Sequence, residues 1–498
     1  MVTTAPSSKR TSRSGPSRTV SEREQRAEAI RFRRALTLVG LSVVAPGSAQ
    51  LVAGNRRVGK SVLFFWACLV AVCGLVLWLV PLDDLARLAL RPWLLNAFTL
   101  FAVGMALGWV AVICDAWRLG YPPGLSRRHR LVMVMSTLTV AALVATPLVA
   151  SARYAVVARD AVVTLFPTGD AAATSDGRLN ILLLGVDAAP GREGIRPDSI
   201  TVVSVDVRSG RPLLISLPRN LEKARFPEGS EAAERFPTGF SGEGDRSEWL
   251  LNATWTYGEA NPELFPGNAG AGVTAVEQAV EGTLGMPIHY HAIIDLFGFR
   301  DLVDALGGVT IRITEEIPVG QDGRVLEPGL RRLDGYETLW YARSRSESSD
   351  YARMGRQRCV LGAILHEADP ATVLRNFTAL AAASESVVTT NIPQAQLPDL
   401  VDMALTAKDL PLTTLQLVPP LITPSDPDLE TIEEQIDLAI EASLGEPSAT
   451  SPASAAAGSD TAQGVEDVPP TETTGEPAGP AQSGAEAAVD LSSVCAYE

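Results

Sequence analysis

Two carboxylates and several arginines fall at the ends of short apolar runs in the central part of this 498-residue chain. Asp187 follows one such run, Asp198 precedes a second, and Arg219 comes two residues after a third. Further arginines and a glutamine complete the polar set: Arg196, Arg343, Arg345, Arg353 and Gln357. If the ends of these runs meet in the folded chain, as strand ends do in open α/β sheets, the set forms one charged cleft.

The chemistry that suits such a cleft is the binding and transfer of a phosphoryl group. An arginine presents a planar fork to phosphate oxygens and stays charged. Asp187 and Asp198 offer the hard oxygen ligands that Mg²⁺ prefers. Phosphoryl transfer depends mainly on positioning and on neutralising negative charge, and this set supplies both. We therefore predict a pyrophosphate site with a divalent metal.

Arg343 and Arg345 are two residues apart, so on a strand their side chains would point to the same side. Two cations side by side repel each other unless an anion lies between or above them. The pair therefore predicts a contact with the pyrophosphate. The alternative is an exposed edge strand on which both side chains are solvated.

The elements around these residues alternate between strands and helices. Apolar runs predict strands at residues 179–186, 199–207, 212–217, 288–295 and 309–313. Helical spacing predicts helices at residues 273–281, 298–306, 354–367, 396–406 and 429–444. This alternation favours an α/β domain in which helices cover a central sheet.

The composition changes sharply along the chain and divides it into five regions. Residues 1–34 are basic and predict a disordered cytoplasmic tail, residues 35–152 predict a membrane region, and residues 153–177 predict a linker. The globular mixture of residues 178–444 predicts the catalytic domain. Residues 445–498 carry many acidic groups and neither Lys nor Arg, so they predict a disordered acidic tail, which contributes to the net charge of −15.

Three stretches of about 20 apolar residues, at 61–80, 93–113 and 131–151, predict membrane spans. A weaker stretch at 35–53 is interrupted by Pro46-Gly47-Ser48 and predicts a re-entrant segment. Basic residues cluster at the amino terminus, near Arg56 and around Arg127, and such clusters stay on the cytoplasmic side. Residues 153–498 are then extracytoplasmic. A fourth true span at 35–53 would instead place them in the cytoplasm.

Other motifs indicate no second chemistry. The five cysteines lack zinc-ligand spacing, so neither a disulfide framework nor a metal cluster is predicted. His289 and His291 share a strand face without a third ligand, which favours a structural role. The sequence from Gly54 to Ser61 fits a phosphate-binding loop pattern, but it joins two membrane segments and is interpreted as a basic loop. An acidic chain outside the membrane excludes nucleic acid as the expected partner.

The region from residue 180 to residue 358 resembles the LytR-CpsA-Psr family of cell-envelope proteins. The resemblance lies in short stretches that occur in order along the globular region: residues 180–187, 196–200, 214–219, 251–253, 297–309, 333–335, 340–345, 350–353 and 356–357. Two positions depart from the family pattern. Asn220 stands where an aspartate is usual, and Pro197 stands where a serine is more common. Asn220 cannot act as a base or an anionic ligand.

The resemblance implies an α/β domain with a central mixed sheet and an apolar cavity that buries a polyprenyl chain. Family members transfer a glycopolymer from a polyprenyl-pyrophosphate donor to peptidoglycan, with Mg²⁺ or Mn²⁺. By motif, Asp187 and Asp198 would hold the metal. The residues that would hold the pyrophosphate are Arg196, Arg219, Arg343, Arg345, Arg353 and Gln357. The residues that the resemblance assigns to catalysis are Asp198, Arg219, Arg343 and Arg345. Two alternatives remain, a polyprenyl-pyrophosphate pyrophosphatase and a non-catalytic lipid-binding or regulatory protein.

Overall fold

The computed structural model divides the chain into two compact units, Met1–Arg159 and Asp160–Glu498. It describes residues 17–54, 56–80, 91–120, 125–172, 174, 177–187, 195–267, 270–320, 323–344, 350–367, 388–445, 488–491 and 495. Gly54, at the start of the loop pattern that resembles a phosphate-binding motif, follows one helix, and Arg56 begins the next. Arg345 and residues 446–487 of the acidic tail lie outside the described residues.

All the regular secondary structure described in the first unit is helical. Its helices are α1 (Ser17–Val44), α2 (Ser48–Ala53), α3 (Arg56–Leu79), α4 (Pro92–Leu119) and α5 (Arg127–Leu165), of which α5 continues into the second unit. By length and composition, α3, α4 and α5 can each cross a membrane. The three predicted stretches therefore do form helices suited to spanning a bilayer. Their exposed apolar side chains, such as Phe64 and Leu107, match a surface that faces lipid.

The interrupted stretch at 35–53 forms the end of α1, a sharp break and α2. Gly47 precedes α2 with φ of 96°, and a Cβ there would lie only 2.8 Å from the carbonyl oxygen of Gly59. Glycine is therefore required at this position. Polar contacts attach both short segments to α4. Trp109 Nε1 donates to Ser42 O at 3.0 Å, and Gln50 Nε2 donates to Asp115 Oδ2 at 3.1 Å.

Two segments that we predicted to be irregular are partly helical. The predicted disorder of residues 1–34 is wrong from Ser17 onward, because α1 begins there. That stretch lacks proline and is rich in Arg and Glu, which favour helix. The predicted linker at 153–177 is wrong as far as Leu165, where α5 ends. Pro167 follows shortly after and disfavours continuation of the helix.

The second unit is built on a seven-stranded mixed sheet. The strands in chain order are β1 (Arg178–Val186), β2 (Pro197–Asp206), β3 (Pro212–Leu217), β4 (Tyr290–Asp295), β5 (Val309–Ile313), β6 (Ile317–Val319), β7 (Arg324–Leu326), β8 (Gly329–Leu333), β9 (Val388–Thr390), β10 (Thr413–Gln416) and β11 (Ala488–Asp490). The main sheet has the order β11-β10-β3-β2-β1-β4-β9. β2 is antiparallel to β1 and β3, whereas β4 is parallel to β1 and β10 to β3. The predicted mixed α/β sheet is confirmed.

Helices pack around this sheet. Two small antiparallel hairpins, β5–β8 and β6–β7, come between β4 and β9 in the chain. The helices are α6 (Glu231–Arg235), α7 (Thr254–Ala260), α8 (Ala271–Leu284), α9 (Leu296–Leu306), α10 (Gly335–Arg343), α11 (Asp350–Glu367), α12 (Leu397–Ala407) and α13 (Leu429–Leu444). The main core joins the sheet to α8 and α13 through Leu182, Ile215, Ala279 and Ile432. A second core joins the hairpins to α9, α10 and α11.

Two predictions about individual elements are wrong. Helix α8 passes through Gly282 and ends only at Gly285, whose φ of 65° reverses the chain. Arg343 is not on a strand, because it is the last residue of α10 and Ser344 caps that helix. The capping box formed by Asp334 and Glu337 initiates a helix where the Arg-Ser-Arg spacing had favoured a strand.

The carboxyl-terminal residues also depart from the prediction. β11 pairs with the edge strand β10, and Leu491 behind it is fully buried. Cys495 forms a disulfide with Cys359 of α11 across 136 residues of sequence. The prediction that 445–498 is disordered is therefore wrong at residues 488–491 and 495, and the prediction of no disulfide is wrong too. A short apolar segment can complete an open sheet edge, which composition averaged over the tail conceals.

Candidate active site

The ends of three adjacent strands bring two aspartates and an arginine together. Val186 of β1 pairs with Pro197 of β2, so Asp187 and Asp198 each lie next to one of these paired positions on neighbouring strands. β2 and β3 pair with Ile200 opposite Leu217, and two further steps of the same antiparallel register place Asp198 opposite Arg219. The side chains of Asp198 and Arg219 form an ion pair. The predicted convergence of these strand ends is observed.

This edge of the sheet opens on a cavity of about 1180 Å³. One wall is the sheet, which contributes apolar residues of β1 and β4 such as Leu184 and Ile293. The opposite wall comes from α9, α10 and α11, which contribute Phe299, Trp340 and Leu361 among others. The volume exceeds that of most small-molecule pockets. The walls therefore provide a large apolar chamber directly beside the charged strand ends.

The polar part of the cavity wall contains seven of the eight predicted site residues. They are Asp187, Arg196, Asp198, Arg219, Arg343, Arg353 and Gln357. Arg345, the eighth, lies outside the described residues. Four arginines and three aspartates line the cavity, since Asp295 also contributes. The carboxylate of Asp295 accepts the backbone N–H of Gly298 at 2.8 Å and caps α9, so it is engaged in holding that helix.

Ion pairs connect the residues that come from strands with those that come from helices. Asp350, at the start of α11, accepts from Arg353 at 3.0 Å and lies 3.4 Å from Arg219 Nε. Arg343 Nη2 lies 3.2 Å from Asp187 Oδ2. Arg353 is almost fully buried. Each aspartate therefore holds a guanidinium at the cavity wall, and a guanidinium is a strong hydrogen-bond donor to anions.

Arg196 stands at a more open part of the wall. Its guanidinium donates to the carbonyl oxygen of Ser247 at 3.1 Å. The backbone N–H of Ser247 also hydrogen-bonds to Asp245 and lowers the pKa of that carboxyl, and the Arg196 cation adds to the effect. Arg196 is thereby attached to an exposed loop, in contrast to the deeply buried Arg353.

Sequence reasoning missed three contributors to this site. Asp350 was seen in the sequence pattern, but its position between Arg219 and Arg353 was not predicted. Asn220 and Asn252 both line the cavity, and within the described part of the chain their Oδ1 atoms are buried without a hydrogen-bond partner. The signal for Asn252 was its place in the stretch at 251–253. Buried polar atoms without partners call for a ligand or water.

The donor atoms present fit a divalent cation that also contacts phosphate. Among the described residues no group of three His, Cys, Asp or Glu side chains is assembled. Asp187 and Asp198 supply two carboxylates, and the unpartnered amide oxygens of Asn220 and Asn252 are further hard donors on the same wall. A Mg²⁺ ion commonly binds through one or two carboxylates and completes its shell with substrate phosphate and water.

The two histidines have structural partners. His291 is buried, and its Nδ1 lies 2.7 Å from Glu277 Oε1. His289 Nδ1 accepts the backbone N–H of Asn180 at 3.1 Å, and partial burial lowers the pKa of this imidazole. Both contacts tie β4 to its surroundings. The interpretation of the pair as structural agrees with these contacts.

The sequence matches a known protein family and named relatives. Residues 148–419 match the LytR_cpsA_psr family. The polyisoprenyl-teichoic acid–peptidoglycan teichoic acid transferase TagU of Bacillus cereus (strain AH820) is 27% identical over 224 residues, which is 45% of this chain and 63% of that protein. The Bacillus licheniformis protein of the same name is 27% identical over 215 residues, or 43% and 60%. The chain thus spans less than two thirds of the length of these relatives.

Solved structures of similar proteins were also found. Bacillus subtilis TagV is 22% identical with a TM-score of 0.41, covering 55% of this chain and 100% of that one. TagT bound to LIIa-WTA is 20% identical with a TM-score of 0.38, covering 56% and 96%. The family match extends over more than half of the residues, so this chain belongs to the LytR_cpsA_psr family.

Proposed function

We propose that this protein transfers a glycopolymer from a polyprenyl-pyrophosphate carrier to a hydroxyl group of peptidoglycan. One observation carries the proposal: an apolar cavity of about 1180 Å³ has four arginines in its wall. A polyprenyl pyrophosphate has the matching form, a long apolar chain joined to a strongly anionic group. The names of the TagU relatives describe the same kind of reaction.

Each predicted residue then has a task. The apolar walls hold the prenyl chain, and the pyrophosphate contacts Arg196, Arg219, Arg343, Arg345, Arg353 and Gln357. Asp187 and Asp198 would hold Mg²⁺ or Mn²⁺, which supplies positive charge to the phosphate oxygens when it is bound. The side chain of Asp198 is 29% exposed against 7% for Asp187. We therefore assign Asp198, with Arg219, Arg343 and Arg345, to catalysis, because an incoming hydroxyl can reach it.

The reaction is a substitution at phosphorus. The acceptor hydroxyl oxygen attacks the phosphorus atom next to the sugar, and its proton passes to Asp198. The bond from this phosphorus atom to the bridging oxygen breaks, a phosphodiester forms, and polyprenyl phosphate leaves with the bridging oxygen. The arginines hold the phosphate oxygens in place and offset the charge that accumulates on them. The peptidoglycan acceptor approaches from the open side of the cavity, near Arg196.

We also propose that residues 160–498 lie outside the cytoplasm, anchored by the membrane helices. The basic loops support this orientation. The disulfide between Cys359 and Cys495 supports it independently, because disulfides persist in oxidising compartments and are rare in the cytosol. Labelling of single engineered cysteines tests the orientation, in a background in which Cys68, Cys73 and Cys114 are replaced by alanine. A site in the 446–487 segment should react from outside intact cells, and a site at residue 127 should not.

Purified full-length protein in detergent tests the activity. With a polyprenyl-pyrophosphate-linked glycopolymer and peptidoglycan, we expect polymer on the peptidoglycan and an equal amount of polyprenyl phosphate. Mass spectrometry of co-purifying lipid should show a polyprenyl pyrophosphate. Release of polyprenyl phosphate without transfer would instead establish a pyrophosphatase. Bound lipid without any turnover would establish a non-catalytic lipid-binding or regulatory protein.

A further inference from the structure

Arg356 is a buried arginine of α11 that contacts the end of α10. Its guanidinium donates to the carbonyl oxygen of Tyr341 at 3.1 Å and to the carbonyl oxygen of Ser344. A third contact joins it to Glu315 Oε1 at 3.2 Å. Only 8% of Arg356 is exposed. A charged group is buried at this position only when its donors are satisfied, and here two backbone carbonyls and a carboxylate satisfy them.

Those two carbonyls lie in the last turn and at the cap of α10. The last carbonyls of a helix lack partners within the helix and carry its negative dipole end. A cation fixed there both completes the hydrogen bonds and stabilises the helix end. Arg343, the final residue of α10, lies between the two contacted positions, and its side chain faces Asp187 at the cavity. Arg356 therefore holds the backbone that carries Arg343.

Arg356 does not belong to the cavity wall, but its neighbours on α11 do. Arg353 and Gln357 line the cavity, whereas Arg356 faces α10. Helix α11 thus presents two residues to the cavity and uses a third to fix the preceding helix, α10. A lysine at position 356 would keep the charge. It lacks the planar fork that reaches two carbonyls and a carboxylate at once.

We propose that Arg356 is a positioning residue, which sets the location of the pyrophosphate-binding Arg343 relative to Arg353 and Gln357. The inference rests on the proposed function, since it concerns the binding of a prenyl pyrophosphate. Arg356 is not among the residues that line the cavity, so in this proposal it does not contact the substrate. It acts through the backbone at Tyr341 and Ser344.

A double-mutant cycle with farnesyl pyrophosphate as the probe tests this role. Titration of the detergent-purified full chain should show that Arg356→Lys weakens binding about tenfold, which corresponds to about 1.4 kcal/mol. In an Arg343→Lys background the same change should weaken binding less than about twofold, because the side chain that it positions is already altered. Arg358→Lys is the matched control. Arg358 is equally buried on the same helix, but it donates to Thr414 of β10 at 3.0 Å. The Arg358→Lys variant should lower the melting temperature, and its effect on binding should be the same with and without Arg343→Lys.

The outcomes separate the inference from the proposed function. If the wild-type protein does not bind farnesyl pyrophosphate, the proposed function itself fails. If it binds and Arg356→Lys weakens binding equally in both backgrounds, or not at all, Arg356 has no positioning role. If Arg356→Lys does not fold, Glu315→Gln is the second variant, because it weakens the ion pair that helps to hold Arg356. The side chain of Glu315 is 57% exposed, so this change should be tolerated. We expect it to weaken binding about twofold, only when Arg343 is intact, and an equal loss in both backgrounds would overturn the inference.

Discussion

The cavity wall has a strand-borne part and a helix-borne part, and they are held in place by different means. Asp187, Asp198 and Arg219 follow from three strands that are neighbours in both sequence and sheet. Arg343 and Arg353 come from α10 and α11, more than a hundred residues later. The first group is fixed by backbone pairing. The second group is also fixed by side-chain contacts, which include those of Arg356 and Asp350 and the disulfide at Cys359.

The two parts should therefore respond to different perturbations. A strand end cannot move without breaking several ladder hydrogen bonds, whereas the position of α11 depends on side-chain packing in the second core and on individual polar contacts. In the proposed function, substrate binding needs both parts, because arginines from each part would contact one pyrophosphate. Changes to the ties of the helix-borne part should therefore alter its stability and geometry while the strand-borne part persists.

The largest effect that we expect is the loss of the disulfide. Replacing Cys359 and Cys495 by serine should lower the free energy of unfolding by about 2–5 kcal/mol, because the bridge closes a long loop. Thermal unfolding of the purified protein measures this. Cys68→Ser in α3 is the control, since that cysteine is free and exposed. Equal melting temperatures for the serine double variant and the wild type would show that α11 does not depend on this tie.

The two carboxylates of the strand-borne part come next. Asp187→Ala and Asp198→Ala should each lower metal-dependent turnover by about 100-fold or more, because each removes a proposed metal ligand and the partner of an arginine. The transfer assay with Mg²⁺ measures turnover, and circular dichroism checks the fold. Asp426→Ala is the control, since this exposed carboxylate pairs only with Lys223 among the contacts described. Full activity in both cavity variants would remove the proposed metal role.

A smaller effect distinguishes geometry from charge at the two arginines of the Arg-Ser-Arg sequence. Arg343→Lys and Arg345→Lys keep the charge but lose the planar fork, and each should lower turnover about tenfold, or about 1.4 kcal/mol. Neither change should alter the melting temperature, because the side chain of Arg343 is 42% exposed. Wild-type rates in both variants would show that the pair does not contact the pyrophosphate.

The same contrast explains what the sequence predicts well. The strand-borne part follows from local patterns, since apolar runs with polar ends predict both β3 and the position of Arg219. The residues of the helix-borne part were assigned to the site, but the secondary structure predicted at Arg343 was wrong, because the expected strand is the end of α10. The contacts that hold the helix-borne part in place were not predicted. The pairing of Cys359 with Cys495 and the contact of Arg356 with two carbonyls depend on long-range packing, which residue spacing does not reveal.

The smallest effect concerns acid, and it should act on the strand-borne part alone. Partial burial lowers the pKa of His289, whose Nδ1 accepts the N–H of Asn180 at the start of β1. The unfolded chain therefore binds a proton more readily than the folded protein, so the stability contributed by neutral His289 is present above pH of about 6.5. It is lost as the pH falls through the lowered pKa of the folded state.

His289→Asn keeps an acceptor near the position of Nδ1 but cannot take up a proton. Between pH 7 and pH 5 the melting temperature of the wild type should fall more than that of this variant, by on the order of 1 °C. The helix-borne part is held by arginines that stay charged over this range, so farnesyl pyrophosphate binding should not separate the two proteins. A parallel decline in both melting temperatures would show that His289 does not couple β4 to β1 through its neutral form.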